Sequence, residues 1–139
     1  MITWNKITNP LHRHFYLYGA IGFIALSLGY LLRSRIVIEN DLAILFMGIF
    51  PNLFGSFATP FILSFLLAQR FPAWKRLEKI AFFGLVNLFT LAVSVLIEYL
   101  HVVFQQGAWD SNDIAASIIG GLLSMILYFI TMRKLGGQE

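Results

Sequence analysis

The sequence predicts an all-α membrane protein, a bundle of four transmembrane helices that forms a single domain over residues 1–139. Apolar residues make up 58% of the chain and charged residues 12%, whereas soluble domains average roughly 45–50% and about 25%. The mean hydropathy is +0.76. The apolar residues form long continuous runs, which are typical of membrane helices and not of the short alternating strands of a β-barrel.

The first predicted span covers residues 15–32, which is just long enough to cross a hydrocarbon layer at about 1.5 Å per residue. Small residues recur on one side of this helix and permit close packing against another helix. They are Gly19, Gly22, Ala25 and Gly29.

The second apolar run covers residues 42–69 and contains Pro51 and Pro60. It is longer than one untilted span requires. We expect a short interfacial or re-entrant segment over residues 42–50, followed by a span over residues 52–69. Pro51 would then lie in the first helical turn, where its missing N–H is tolerated.

The third predicted span, residues 80–100, carries a polar face on a helix otherwise rich in Leu, Val, Phe and Ile. At about 100° per residue, the polar side chains share one side. They are Asn87, Ser94, Glu98, His101 and Gln105. A carboxylate is expensive to expose to lipid, so we expect Glu98 to face neighbouring helices or a wet cavity.

The fourth predicted span covers residues 114–132. Asp110 or Ser111 is placed to cap its N-terminus. A ridge of small residues at every fourth position, Ala116, Gly120 and Ser124, is typical of a helix that packs closely against another backbone.

Lys and Arg are unevenly divided between the two ends of the predicted bundle. Eight lie near the N-terminus, in the middle connection or near the C-terminus, and only Arg33 and Arg35 lie at the other end. The positive-inside rule therefore places both termini in the cytoplasm. The net charge of +3 reflects this arrangement and does not indicate nucleic-acid binding.

Polar groups from three helices would meet at the outer face in this orientation, and we expect a small ligand-binding pocket there. Its predicted lining is Asn52, Glu98, His101, Asp110, Asp113 and Ser117. Glu98 would accept hydrogen bonds or act as a base, with His101 as its proton partner. Two simpler roles stay open, a polar pair bonded to the next turn and helix capping by the two aspartates.

The E-x-x-H spacing of Glu98 and His101 is found in di-metal helices, but those need a second copy on another helix. The sequence has none, and it has no Cys. We therefore predict no metal and no cofactor. The sequence contains no recognisable catalytic triad or phosphate loop, so an enzyme is not favoured.

The stretch from Glu98 to Ser124 reads E-x-x-H, then W-D-x-x-D-x-x-x-S-x-x-G-x-x-x-S. It resembles the signature of the VanZ-like membrane family, where a Glu ends one helix and D-x-x-x-N-x-x-G-x-x-x-G starts the next. Glu98 and Asp113 match the acidic positions and Gly120 the first glycine. His101 and Ser117 stand where Gln and Asn are usual.

The resemblance implies a bacterial inner-membrane protein linked to the cell envelope, because the family is named after a protein associated with teicoplanin resistance. We expect the pocket to bind an amphiphilic or lipid-linked ligand, such as an envelope lipid or a glycopeptide. Two other functions stay open. One is an accessory or scaffold subunit, whose partner or second copy would pack on the small-residue faces, and the other is a small ion- or proton-coupled transporter.

Overall fold

The computed structural model describes residues 10–35, 41–70, 80–105 and 109–136, and its regular structure there is entirely helical. The helices are α1 (Pro10–Arg35), α2 (Asp41–Arg70), α3 (Ile80–Gln105) and α4 (Ser111–Gly136). Each contains an apolar stretch of 22 to 25 residues, long enough to cross a membrane. The predicted all-α fold with four helices of membrane-spanning length is confirmed.

The second helix differs from the sequence prediction. α2 runs without interruption from Asp41 to Arg70, with Pro51 and Pro60 inside it, so the separate segment expected over residues 42–50 does not appear. Each proline removes one N–H from the helical ladder. In tightly packed apolar helices, neighbouring helices and hydroxyl side chains compensate for such a loss, and both prolines are buried.

Consecutive helices are antiparallel, and α2 lies at the centre of the bundle, packed extensively against both α1 and α4. Gly19 of α1 lies beside Ile62, in the second half of α2. Gly29 lies beside Phe50, in the first half of α2. α1 and α2 therefore run in opposite directions. α3 and α4 are also antiparallel, because Phe83 near the start of α3 stacks on Tyr128 in the second half of α4, while Glu98 in the second half of α3 accepts a hydrogen bond from Asp110, just before α4.

We call the end of the bundle where α1 leads to α2 and α3 leads to α4 the hairpin end, and the opposite end the terminal end. An aromatic cluster with one ring from each helix fills the terminal end: Phe15, Phe61, Phe83 and Tyr128, each exposed by 1% or less. Phe83 and Tyr128 stack with their ring centroids 4.3 Å apart. The cluster joins all four helices at this end.

The small-residue faces predicted from the sequence are covered within the chain. A Cβ added to Gly22 would lie 2.7 Å from the Cβ of Ala58, and one added to Gly29 would lie 2.6 Å from Phe50. Gly120 lies against the backbone of α2, while Ala116 and Ser124 are 3% and 0% exposed. A partner protein would therefore have to use other surfaces.

Candidate functional site

A cavity of about 210 Å³, which we call the polar cavity, lies at the hairpin end. Five of the six predicted ligand-binding residues line it: Asn52 from α2, Glu98 and His101 from α3, and Asp113 and Ser117 from α4. The structure thus brings these side chains to one place from three helices.

Glu98 is the buried charged group of the polar cavity. Its side chain is 8% exposed, so the carboxylate faces protein, as the preceding apolar run predicted. Glu98 Oε1 accepts a hydrogen bond from the backbone N–H of Asp110 at 2.9 Å. This bond uses one of roughly four acceptor positions of a carboxylate, so Glu98 can hold the α3–α4 turn and still accept donors from a ligand.

Asp110 is the predicted ligand-binding residue that does not line the polar cavity. Its side chain is exposed, and its Oδ1 accepts the backbone N–H of Asn112 at 2.8 Å. This is the bond of an N-cap to the first turn of α4, so the predicted capping role is confirmed. A side chain engaged in this way is not directed at a ligand, and Asp110 contributes to the site through its backbone.

The other cavity residues differ in exposure. His101 is exposed, Asp113 and Asn52 are half-buried, and Ser117 is buried. Asp113 lies in the first turn of α4, where a negative charge is favourable. Because Glu98 and Asp113 bring two acidic side chains to the cavity, the site suits a ligand group with N–H donors or a positive charge. Within the described ranges, no three His, Asp or Glu side chains are grouped closely enough for a metal ion.

A second cavity, of about 350 Å³, adjoins the polar cavity and extends toward the terminal end. The two share five lining residues: Tyr30, Pro51, Asn52, Ser94 and Ile97. We call the second one the lateral groove. Its further lining comes from α1, α2 and α3, namely Leu26, Gly55, Ser56, Thr59, Leu63, Phe89, Thr90 and Val93.

The polar face of α3 is divided between two neighbouring helices. Asn87, 4% exposed, donates from Nδ2 to the Gly121 carbonyl at 2.9 Å and to Ser124 Oγ at 2.6 Å, both in α4. Ser94 Oγ lies 3.4 Å from Ser56 Oγ of α2. Asn87 therefore joins α3 to α4, while Ser94 and Glu98 lie at the two cavities. The side chain of Gln105 lies outside the described residues.

We expect Asn87→Leu to lower the free energy of unfolding by about 1–2 kcal/mol, because α3 loses both hydrogen bonds to α4. Reversible unfolding in detergent, followed by circular dichroism, would measure the change. Leu88→Ala is the control, because the adjacent Leu88 is 66% exposed. A surface substitution of this kind changes the free energy of unfolding by about 0.5 kcal/mol or less. Equal losses in both variants would contradict the assignment.

Sequence reasoning missed the lining residues that are apolar or lie on α1. Tyr30 borders both cavities, but an aromatic residue near the end of a span reads as an interfacial anchor. Gly48, Ile97 and Ile114 line the polar cavity and carry no polar group that distinguishes them. Only the packing of the helices reveals their place.

Comparisons with protein-family models, curated proteins and solved structures gave no match. The resemblance to the VanZ-like family therefore stays a prediction that depends on the residues between Glu98 and Ser124.

Proposed function

We propose that this protein is a VanZ-like protein that spans a bacterial inner membrane four times and binds an amphiphilic or lipid-linked envelope ligand in its polar cavity. The four long apolar helices support a multi-pass membrane protein. The distribution of Lys and Arg supports cytoplasmic termini, and in that orientation the polar cavity would open at the outer face. The resemblance of residues 98–124 supports the link to the envelope and to glycopeptide resistance.

The observation that carries this proposal is the burial of Glu98 in a cavity lined by all four helices. Glu98 is 8% exposed and shares the cavity with the Asp113 carboxyl group, the Asn52 amide and the Ser117 hydroxyl. Ionisable groups at membrane depth are costly and mark functional sites by default. The two acidic side chains favour a ligand head group with an ammonium or several O–H and N–H donors.

An accessory-subunit role has less support, because the small-residue faces that would receive a partner are already used within the chain. Gly19, Gly22 and Gly29 pack on α2, and so does Gly120. The polar cavity, in contrast, is lined by side chains from all four helices. Ligand binding is therefore the function that the geometry favours.

We expect Glu98→Gln to weaken binding of a cationic amphiphile by about tenfold or more, because a charge-assisted hydrogen bond contributes roughly 1.5–3 kcal/mol. The amide oxygen of glutamine can still accept the Asp110 N–H, so the unfolding temperature should change little. Binding of a tetradecylamine probe to protein in lipid nanodiscs, compared with tetradecyl sulfate, measures the effect.

Asp110→Asn is the matched control, because it removes one negative charge at the same end of the bundle and outside the polar cavity. It keeps a side chain that caps α4, and binding should stay close to that of the unchanged protein. If Glu98→Gln lowers stability while binding is unaltered, Glu98 is structural and the proposal is wrong. Teicoplanin susceptibility of a bacterium expressing each variant tests the link to the envelope.

A further inference from the structure

The lateral groove separates α1 from α3 in the half of the bundle next to the polar cavity. At the terminal end the two helices meet, with the ring centroids of Phe15 and Phe83 5.6 Å apart. Toward the hairpin end, Leu26 of α1 and Val93 of α3 line the groove between them. Phe89 also lines it and is 61% exposed, so the groove reaches the side of the bundle.

Three of the hydroxyl groups along this groove donate to carbonyl groups of their own helices. Thr59 Oγ1 donates to the Gly55 carbonyl at 2.7 Å, and Thr90 Oγ1 donates to the Val86 carbonyl at 3.0 Å. Ser94 Oγ donates to the carbonyl of Thr90 at 3.1 Å. Because these donors already have acceptors, a hydrocarbon chain in the groove would leave none of them without a hydrogen bond.

The size of the groove limits what it can hold. An apolar cavity of roughly 150 Å³ accommodates one benzene molecule, and the groove measures about 350 Å³. By that scale it holds roughly a dozen carbon atoms, which corresponds to one alkyl or isoprenoid chain and not to two. The aromatic cluster fills the terminal end beyond it.

We propose that the occupant of the two adjoining cavities is a single-chain amphiphile that enters sideways from the membrane. Its donor-bearing or cationic head group lies beside Glu98 in the polar cavity, and its chain lies in the lateral groove. This inference depends on the proposed function and names the class of ligand. The five lining residues that the cavities share place the two cavities side by side, so that one molecule would reach both.

The experiment measures where the alkyl chain of the ligand lies, because the binding affinity gives little information about the groove. A membrane-dissolved chain is already in hydrocarbon, so transfer into the groove gains little hydrophobic free energy. The probe is a tetradecylamine with a diazirine near its methyl end, added to the protein in phosphatidylcholine nanodiscs. After photolysis, mass spectrometry should find labels on groove residues that are not exposed on the side of the bundle, such as Thr59, Leu63 and Val93.

Gly55→Leu tests the groove directly. Gly55 lines it, and a Cβ added there meets no atom within 4 Å, so the leucine should fill the groove while the helices stay in place. We expect about fivefold less labelling of the groove residues, because inserted methylene groups in an occupied site are strongly unfavourable. Ala92→Leu adds similar bulk at an exposed position of α3 and should leave the labelling unchanged.

The two proposals fail in different ways. If Gly55→Leu leaves the labelling unchanged, or if the labels fall on lipid-facing residues such as Leu85 and Leu96, the chain does not occupy the groove. Glu98→Gln would still weaken binding in that case, and the proposed function would stand. If neither substitution has an effect, both proposals are wrong. Loss of labelling on adding unlabelled tetradecylamine, but not on adding more phosphatidylcholine, supports the single-chain class.

Discussion

Replacing Gly120 by leucine is expected to separate α4 from α2 and to lower the free energy of unfolding by about 3 kcal/mol. A Cβ at this position would collide with the carbonyl oxygen of Leu53 and lie 3.1 Å from the backbone nitrogen of Phe57. Backbone atoms do not rotate away as a side chain does, so the helices themselves must move. Reversible unfolding in detergent, with size-exclusion chromatography, measures the loss.

Gly84→Leu is the control for this prediction. The nearest atom to a Cβ at Gly84 is the terminal Cε of Met125, at 3.9 Å, and a flexible methionine end can adjust. We expect a change of less than about 1 kcal/mol. A Gly120→Leu protein that folds as well as this control would show that Gly120 does not join α4 to α2. The face of α4 would then be free for a partner protein.

Phe83→Ala is expected to lower the free energy of unfolding by about 3–5 kcal/mol. Phe83 is 0% exposed, stacks on Tyr128 and contacts Phe15 and Phe61 at centroid distances of 5.6 and 5.1 Å. Removing its ring leaves a cavity at the point where all four helices meet. The side chains that surround the ring lose their dispersion contacts with it, and this loss destabilises the bundle. Unfolding in mixed micelles measures the effect.

Phe104→Ala makes the same chemical change on the same helix. Phe104 is 77% exposed, so its ring contributes little to packing within the bundle, and the unfolding free energy should shift by about 0.5 kcal/mol or less. The aromatic cluster would lose its assigned role if the two phenylalanine variants were equally stable.

Much of the candidate site could be predicted from the sequence, because polar atoms are rare in apolar helices and their cost at membrane depth restricts where they can lie. Glu98 follows a long uncharged run, so its burial against protein was the expected solution. Helical periodicity placed Asn87 and Ser94 on the same side. It did not show that Asn87 would bond α4 while Ser94 would lie next to α2.

For two predictions, contacts between residues that are far apart in the sequence decided the outcome. Pro51 has a local preference for a helix start, yet α2 continues through it, because packing against α1 and α4 stabilises the whole helix. Asp110 could cap α4 or face the cavity, and its side chain caps α4 while its N–H bonds Glu98. Local sequence allows both arrangements, and the geometry of the α3–α4 turn selects one.

The sequence by itself determined the number and type of the helices and the apolar character of the bundle, because these follow from composition and from run lengths. The tertiary structure decided which helix faces meet, and therefore that Gly120 packs on α2 and that a groove opens between α1 and α3. The physical reason is that lipid chains and apolar side chains are almost equally good surroundings for a helix face. Hydrophobicity therefore does not determine which helix faces pack together. Close packing and a few hydrogen bonds determine this.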